Sequence, residues 1–254
     1  MRKMLIGRNL AITSVVGLFA CASAQAAVTI NEIRVDDGQD IGQNANDYFE
    51  LAGNLGEALS GLTYVVIGDN SNSATDEGGF VESTITFGST SIGSDGFYLG
   101  IGASNTLGMT NDGAVGFNGF EANDNTTHLL VSGWSGGTDL DTNDDGTLDS
   151  MPWTSVLDAV SIVNNATPGS FSYNYYYATA LGGANIGPDA SDPQGPVHVF
   201  RDPDGNGAWH LGLPDLFSPN ADDSPGTPNS PVVPEPSSLM LVGISALGLI
   251  RRRA

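Results

Sequence analysis

The chain has 254 residues, and its 29 aspartate and glutamate residues against eight lysine and arginine residues give a formal net charge of −21. Such a charge repels phosphate backbones, so we expect no nucleic-acid partner. The single cysteine, Cys21, lies within the first 26 residues, and residues 27–254 therefore contain no disulfide, thiolate nucleophile or cysteine-ligated metal.

Residues 1–26 have the pattern of a secretory signal peptide. Basic residues precede an apolar stretch at 10–20, and small residues follow it. Ala24 and Ala26 form the Ala-x-Ala sequence that signal peptidase accepts, which predicts cleavage after Ala26. The alternative is a lipoprotein signal in which Cys21 carries the lipid, with the bulky Phe19 two residues before it.

Residues 27–219 form the predicted domain. Short runs of β-branched and aromatic residues alternate there with Asn, Asp and Gly clusters, which predicts an all-β fold with long loops. Strands are predicted at 28–34, 48–52, 62–68, 80–87, 96–101, 127–132, 155–163, 170–177 and 197–201. The apolar residues expected in the core are Ile30, Ile33, Phe49, Leu51, Leu62, Val65 and Ile67.

Two acidic residues, Glu32 and Glu50, stand beside these apolar positions. They could serve as a general acid and base. We favour the interpretation in which they face solvent or pair with Arg34 or Arg201 across a sheet, because these arginines are the only lysine or arginine residues between positions 27 and 233.

Residues 141–149 carry the sharpest chemical signal. Oxygen-bearing side chains recur along a short loop that has a glycine at its sixth position, Gly146. Calcium is held by about six to eight oxygens, and glycine permits the bend that lets them converge. The expected ligands are Asp141, Asn143, Asp145, the Thr147 carbonyl and Asp149, completed by Asp139 or Asp158. The twelfth position is Pro152, not the glutamate of an EF-hand, so we predict a structural calcium loop without flanking helices.

A solvated acidic turn is the alternative interpretation of residues 141–149. Residues 202–207 are a weaker version of the same composition, and a turn between strands explains them.

No catalytic motif stands in the context that its chemistry needs. The histidines, His128, His198 and His210, are not spaced as metal ligands. Residues 133–137 have the form Gly-x-Ser-x-Gly around Ser135, but no helix is predicted after them, as a nucleophile elbow requires, so we predict that the chain is not an enzyme. Aromatic residues could instead bind sugars by stacking, or alternate into a core as a strand, which we favour. They are Tyr173, Tyr175, Tyr176, Tyr177, Trp134, Trp153 and Trp209.

Residues 220–233 are rich in Pro, Ser, Asp and Asn and are interpreted as a linker that holds the domain away from a membrane. In residues 234–254, Pro234, Glu235 and Pro236 precede an apolar segment, 239–250, and the cluster Arg251, Arg252 and Arg253. Residues 237–250 would form a helix of about 21 Å. This is shorter than the ~30 Å hydrocarbon core, so a transmembrane helix requires local thinning of the bilayer or inclusion of its flanking residues. The arginines would remain cytoplasmic.

This order of features resembles the PEP-CTERM sorting signal of Gram-negative bacteria. The resemblance implies export across the inner membrane, a transient membrane anchor, processing by an exosortase near Pro234–Pro236, and delivery to the cell surface or extracellular matrix.

A second resemblance involves both ends of the domain. Residues 30–33, 47–51 and 59–63 resemble the opening of a lamin-tail domain, an immunoglobulin-like antiparallel β-sandwich, and residues 201–209 and 224–229 resemble its closing strand and turn. The middle, 102–195, is longer than the family usually allows. We therefore expect a non-catalytic, calcium-stabilised surface protein with a role in adhesion or matrix organisation. The alternatives are an extracellular polysaccharide-binding module and a secreted hydrolase or nuclease, because lamin-tail domains can accompany such enzymes.

Overall fold

The computed structural model describes residues 28–35, 46–69, 77–103, 109–113, 117, 120, 125–164, 175–188, 198–212 and 223–229. The predicted signal peptide, 1–26, and sorting segment, 234–254, lie outside these residues, as does Tyr173.

The described residues form ten strands. They are β1 (Thr29–Arg34), β2 (Tyr48–Ala52), β3 (Leu62–Asp69), β4 (Gly78–Thr86), β5 (Phe97–Ile101), β6 (Thr126–Ser132), β7 (Ser155–Ile162), β8 (Ala184–Ile186), β9 (His198–Asp202) and β10 (Ala208–Leu211). A 3₁₀ helix, Ala178–Leu181, precedes β8. Eight of the strands coincide with predicted ones to within two residues at either end, because their β-branched and aromatic runs are bounded by turn residues.

The strands form two five-stranded sheets. The first has the order β10-β9-β1-β2-β5 and is antiparallel throughout, and the second has the order β4-β3-β6-β7-β8. The predicted all-β, sandwich-like architecture is thus confirmed. The prediction of purely antiparallel strands is wrong for β8, which pairs parallel to β7. The connection at 163–183 allows this, since parallel neighbours need a crossover of about a dozen residues or more.

The main core lies between the two sheets. Strands β1 and β2 supply Ile30, Ile33, Phe49 and Leu51 to it, as predicted. Ile30 and Ile33 belong to the same core although they are three residues apart, because β1 has a bulge between Ile30 and Glu32. The Phe49 ring stacks on Tyr64 with centroids 4.1 Å apart, which joins β2 of the first sheet to β3 of the second.

The outer face of the second sheet carries a separate outer apolar cluster. Val65 and Ile67, predicted in the core, belong to this cluster because β3 is apolar on both faces. Its other buried members are Leu129, Val131, Leu140, Ala159, Tyr177 and Ala178. Residues 133–154 and 175–183 supply its cover, including the partly buried Trp134, Trp153, Leu148 and Tyr175.

The strand predicted at 170–177 is wrong for the residues that the structure describes, 175–177. The Tyr177 backbone N–H donates to Thr127 Oγ1, so a side chain replaces the ladder partner that a strand would need. Residues 175–177 instead lead into the 3₁₀ helix.

Candidate functional sites on the two outer faces

The acidic loop, residues 139–149, lies on the outer apolar cluster. Leu140 is buried in the cluster and anchors the loop from below. The Leu140 N–H donates to the Gly79 carbonyl, and Asp144 Oδ1 accepts from the Gly78 N–H. A Cβ on Gly79 would come within 2.5 Å of Asp141 Cβ, so glycine is required for this close approach to β4.

Asp141 is the centre of the acidic loop and is fully buried. Its Oδ1 accepts from the Asp145 N–H at 3.2 Å, and its Oδ2 accepts from the Gly146 N–H at 2.8 Å. Oδ2 also accepts from the Tyr177 hydroxyl at 2.9 Å. The chain can bend around Asp141 because Gly146 adopts a φ of 81°, in the left-handed region.

The other predicted calcium ligands lie on the exposed side of the loop. Asn143 Oδ1 accepts from the Asp145 N–H, and Asp145 Oδ1 accepts from the Thr147 N–H. Asp149 Oδ2 accepts from the Thr142 hydroxyl at 2.6 Å. The five predicted residues therefore share one loop, with Asp141 inside and exposed side chains at Asn143, Asp145, Thr147 and Asp149.

The acidic loop concentrates negative charge. Burial raises the pKa of the Asp139 carboxyl, and the nearby charges of Asp144, Glu77 and Asp141 raise it further. Burial, the hydrogen bond to Asp141 and the charge of that carboxylate also raise the pKa of Tyr177, which therefore stays neutral and remains a donor. Asp158, which the sequence suggested as a further ligand, lies elsewhere: it pairs with Arg201 at 3.0 Å.

The outer face of the first sheet is polar. A bulge in β1 separates Ile30 from Glu32, and Asn31 and Glu32 both turn away from the main core. Glu32 is fully buried and accepts from the Tyr48 hydroxyl, with His198 Nε2 2.8 Å from its Oε1. Glu50, also fully buried, accepts from Asn31 Nδ2 at 2.8 Å. Our expectation that Glu32 and Glu50 face solvent or pair with an arginine is therefore wrong.

A segment at 223–229, which we call the clamp segment, covers this polar face. The Ser224 N–H and hydroxyl donate to the two carboxylate oxygens of Glu32, and the Gly226 N–H donates to Glu50 at 2.6 Å. Asn229 is buried, and its side-chain amide donates to the Arg201 carbonyl at 2.8 Å. The clamp segment falls inside the range 220–233 that we interpreted as a linker, and its contacts make it part of the folded domain.

An ion pair with Arg34 holds Asp223, the first residue of the clamp segment. Arg34 Nη1 donates to Asp223 Oδ2 at 2.6 Å, and both residues are buried. Burial raises the pKa of Glu50, and the neighbouring Glu32 charge adds to the shift. Burial and the Glu32 charge likewise raise the pKa of Tyr48, so its hydroxyl remains a donor.

Glu32, His198 and Asp223 are the one group of three acidic or histidine side chains in the described part of the chain whose ligand atoms all lie within 4.8 Å of one another. The residues of the acidic loop do not converge in this way. A metal at the Glu32 group would compete with the Arg34 guanidinium and with the donors to Glu32. We therefore interpret the group as a charge-compensated hydrogen-bond network. The local sequence signal for it was limited to the polar residues that stand beside apolar core positions in β1, β2 and β9.

The aromatic residues are divided between packing and surface. Trp209 lies under the Arg201 guanidinium, 4.4 Å from its ring centroid, while Tyr175 and Tyr177 face the outer apolar cluster. Trp134 and Trp153 stack with centroids 6.1 Å apart and are partly exposed. Of the histidines, His128 and His198 are buried and His210 is partly exposed.

Within the residues that the structure describes, no helix has the length and hydropathy needed to span a bilayer.

Comparison with known families identifies one region. The model of the PEP-CTERM protein-sorting motif matches residues 232–254, which confirms that part of the sequence interpretation. The motif indicates a secreted protein that an exosortase sorts to the cell surface of a Gram-negative bacterium. No curated protein and no solved structure shows significant similarity to the chain.

Proposed function

We propose that the mature chain is a non-catalytic, calcium-stabilised β-sandwich, related to lamin-tail domains, that contributes to adhesion or to organisation of the extracellular matrix. The sorting motif at 232–254 supports its destination. Two packed sheets and the clamp segment, which includes the Ser224–Asn229 turn, support the relationship to lamin-tail domains.

The observation that carries the proposal is the uncompensated acidic loop. Its centre, Asp141, is buried, and the side chains of Asn143, Asp145, Thr147 and Asp149 are exposed along the same loop. The two described basic side chains are engaged elsewhere, since Arg34 pairs with Asp223 and Arg201 pairs with Asp158. A divalent cation would neutralise the loop, and a rotation of the exposed Asp145 and Asp149 side chains would bring more oxygens to it.

Calcium binding would matter because the acidic loop is built into the domain. Asp144 accepts a hydrogen bond from the N–H of Gly78, the first residue of β4. Asp141 accepts one from the hydroxyl of Tyr177, which follows the long connection after β7. A cation at the loop would therefore tie three separate parts of the second sheet together. Such a rigid, negatively charged module suits salt- and calcium-containing surroundings outside the cell, where its self-repulsion is screened.

The test is thermal and chemical unfolding of the mature domain with calcium or with EDTA. At a calcium concentration a hundredfold above the dissociation constant, the folded state should gain about 2.7 kcal/mol. Asp145→Asn should abolish most of this gain. Asp95→Asn is the matched control, because it removes the same charge from an exposed turn outside the loop. Equal stability of the wild-type protein in calcium and in EDTA would contradict the proposal.

Polysaccharide binding is the second candidate. The observation that favours it is the partly exposed Trp134–Trp153 stack beside the exposed Met151. Aromatic faces of this kind stack on sugar rings, and hydroxyl groups at Ser132 and Ser155 lie at the same end of the second sheet. A glycan array probed with wild-type protein and with Trp153→Ala would distinguish this candidate, since the calcium-stabilised adhesion proposal does not require these rings.

A further inference from the structure

The clamp segment lies immediately before the sorting motif. Asn229 is buried, and the motif begins at residue 232. Residues 230–233 lie between Asn229 and Pro234, so the distance from one to the other is at most about 18 Å. The apolar segment that begins at Leu239 is ten residues from Asn229, or at most about 36 Å.

The clamp segment is fixed along its whole length and not only at one point. Ser224 is bonded to β1 through Glu32, and Gly226 is bonded to β2 through Glu50. At its last residue, the Asn229 N–H donates to Asp204 Oδ1 at 3.1 Å, and its amide donates to the Arg201 carbonyl of β9. Three strands of the first sheet and the turn after β9 therefore hold seven residues in place.

We propose that the clamp segment sets a short distance between the sandwich and the membrane during sorting, so that the folded domain lies directly at the lipid surface. If the clamp segment were a free linker, the chain would leave the domain at Leu211, the end of β10. Residues 212–233 would then lie between Leu211 and Pro234, with an extended reach of about 80 Å from one to the other. The clamp removes most of that reach, and the processing enzyme acts on a bond next to a folded domain.

This inference rests on the sorting motif and on insertion of the apolar segment 239–250, and it does not depend on calcium. The partner surface is the lipid bilayer that holds the apolar segment. Failure of the calcium experiment would leave the inference intact, and its own failure would leave the calcium proposal intact.

The experiment measures energy transfer from a fluorophore on the sandwich to acceptors in lipid headgroups. The full chain, without its signal peptide, is reconstituted in vesicles of phosphatidylethanolamine and phosphatidylglycerol. Leu55→Cys supplies the labelling site, because Leu55 is 68 % exposed and the chain then has no other thiol. Flotation with the vesicles reports separately whether the apolar segment has inserted.

Two variants lengthen the tether in different ways. Insertion of twelve Gly and Ser residues after Asn229 leaves the clamp intact and lengthens the tether by a flexible segment whose own root-mean-square span is about 19 Å. Ser224→Ala/Asn229→Ala weakens the clamp itself. The matched control carries the same insertion between Gly136 and Gly137, which are exposed residues of the second sheet's cover.

Transfer should be high and equal in the wild-type chain and in the Gly136–Gly137 control, and lower in both tether variants. The insertion after Asn229 keeps the test valid if the double substitution impairs folding. Equal transfer in the wild-type chain and the Asn229 insertion variant would overturn the proposal, as would a wild-type chain that does not float with the vesicles.

Discussion

The two outer faces of the sandwich are covered by opposite kinds of chemistry. On the first sheet, buried carboxylates meet the donors of the clamp segment, and Arg34 neutralises Asp223. On the second sheet, Leu140 and Tyr177 complete an apolar cluster beneath the acidic loop. The cover of the first sheet, which we call the polar cover, is therefore held by directional hydrogen bonds and an ion pair. The cover of the second sheet, the apolar cover, is held by the fit of apolar side chains.

This difference separates two tasks. A buried carboxylate that loses its donor costs free energy, so the polar cover accepts one alignment of the clamp segment and fixes where the chain leaves the domain. An apolar cluster tolerates changes of shape at similar volume, so it can support a loop whose exposed acids remain available to solvent. The part that leads to the sorting motif is thus fixed by polar partners. The part that carries the candidate calcium ligands rests on apolar packing and on the hydrogen bonds of Asp141 and Asp144.

The largest expected effect concerns His128, a polar group in the interior between these covers. Burial lowers the pKa of His128 to about 3 from its ordinary value of 6.5. The unfolded imidazole gains a proton below pH 6.5 while the folded one does not, so stability is complete above pH 6.5 and is lost as pH falls. The loss approaches about 5 kcal/mol by pH 3. Urea unfolding from pH 7 to pH 4 should show this slope.

His128→Gln should reduce that slope, because a glutamine does not titrate and can still bond to the Tyr64 hydroxyl and to Thr126. The substitution tests the contrast between two buried histidines. His128 meets only hydroxyl groups in these bonds, whereas His198 on the polar face meets a carboxylate. An NMR titration of the His128 ring in the folded protein is the direct check, and a midpoint above pH 5 would contradict the expectation.

The next prediction compares similar-sized substitutions in the two covers. Arg34→Met removes the guanidinium beside Asp223 and should cost about 3–5 kcal/mol of unfolding free energy. Arg34→Lys should also destabilise, because an ammonium does not reproduce the planar donor geometry. Leu140→Met in the apolar cover keeps its volume and should cost less than about 1.5 kcal/mol. Urea unfolding at pH 7 measures all three.

A double variant, Arg34→Met/Asp223→Leu, provides the control. It replaces both charges with apolar groups and should recover much of the stability lost in the single variant. If Arg34→Met and Leu140→Met lower the unfolding free energy by the same amount, the comparison between the covers fails. The polar cover would then tolerate substitution as well as the apolar cover does.

Much of the fold could be predicted from local sequence. Apolar positions in β1 and β2 identified the main core, and apolar runs bounded by turn residues located most strands. Two short strands, β8 and β10, were not predicted. β8 has three residues and pairs in parallel with β7 across a long connection, so its partner is set by tertiary packing and not by local pattern. Tertiary contacts also decide the conformation of residues 175–177, since the Tyr177 N–H donates to Thr127 Oγ1 in place of a ladder partner.

The two candidate sites also differ in whether local sequence could identify them. The acidic loop is contiguous in sequence, so its residues and its bend at Gly146 could be identified from spacing alone. The polar face is assembled from strands and a segment more than 160 residues apart in the chain, since Glu32 meets His198 and Ser224. A buried carboxylate looks like an exposed one until its donors are known. This is why Glu32 and Glu50 were misplaced.

The smallest expected effect is local and separates the two covers directly. Calcium at the acidic loop should slow amide hydrogen exchange at Gly78, Asp145 and Gly146, whose N–H groups donate to Asp144 or Asp141. A local gain of 1.4 kcal/mol slows exchange through local opening about tenfold. Gly226 and Asn229 should not change in the same experiment, because their donors meet Glu50 and Asp204 on the opposite face. Equal slowing at both covers would mean that the domain opens as one unit, and that the polar and apolar covers do not act independently.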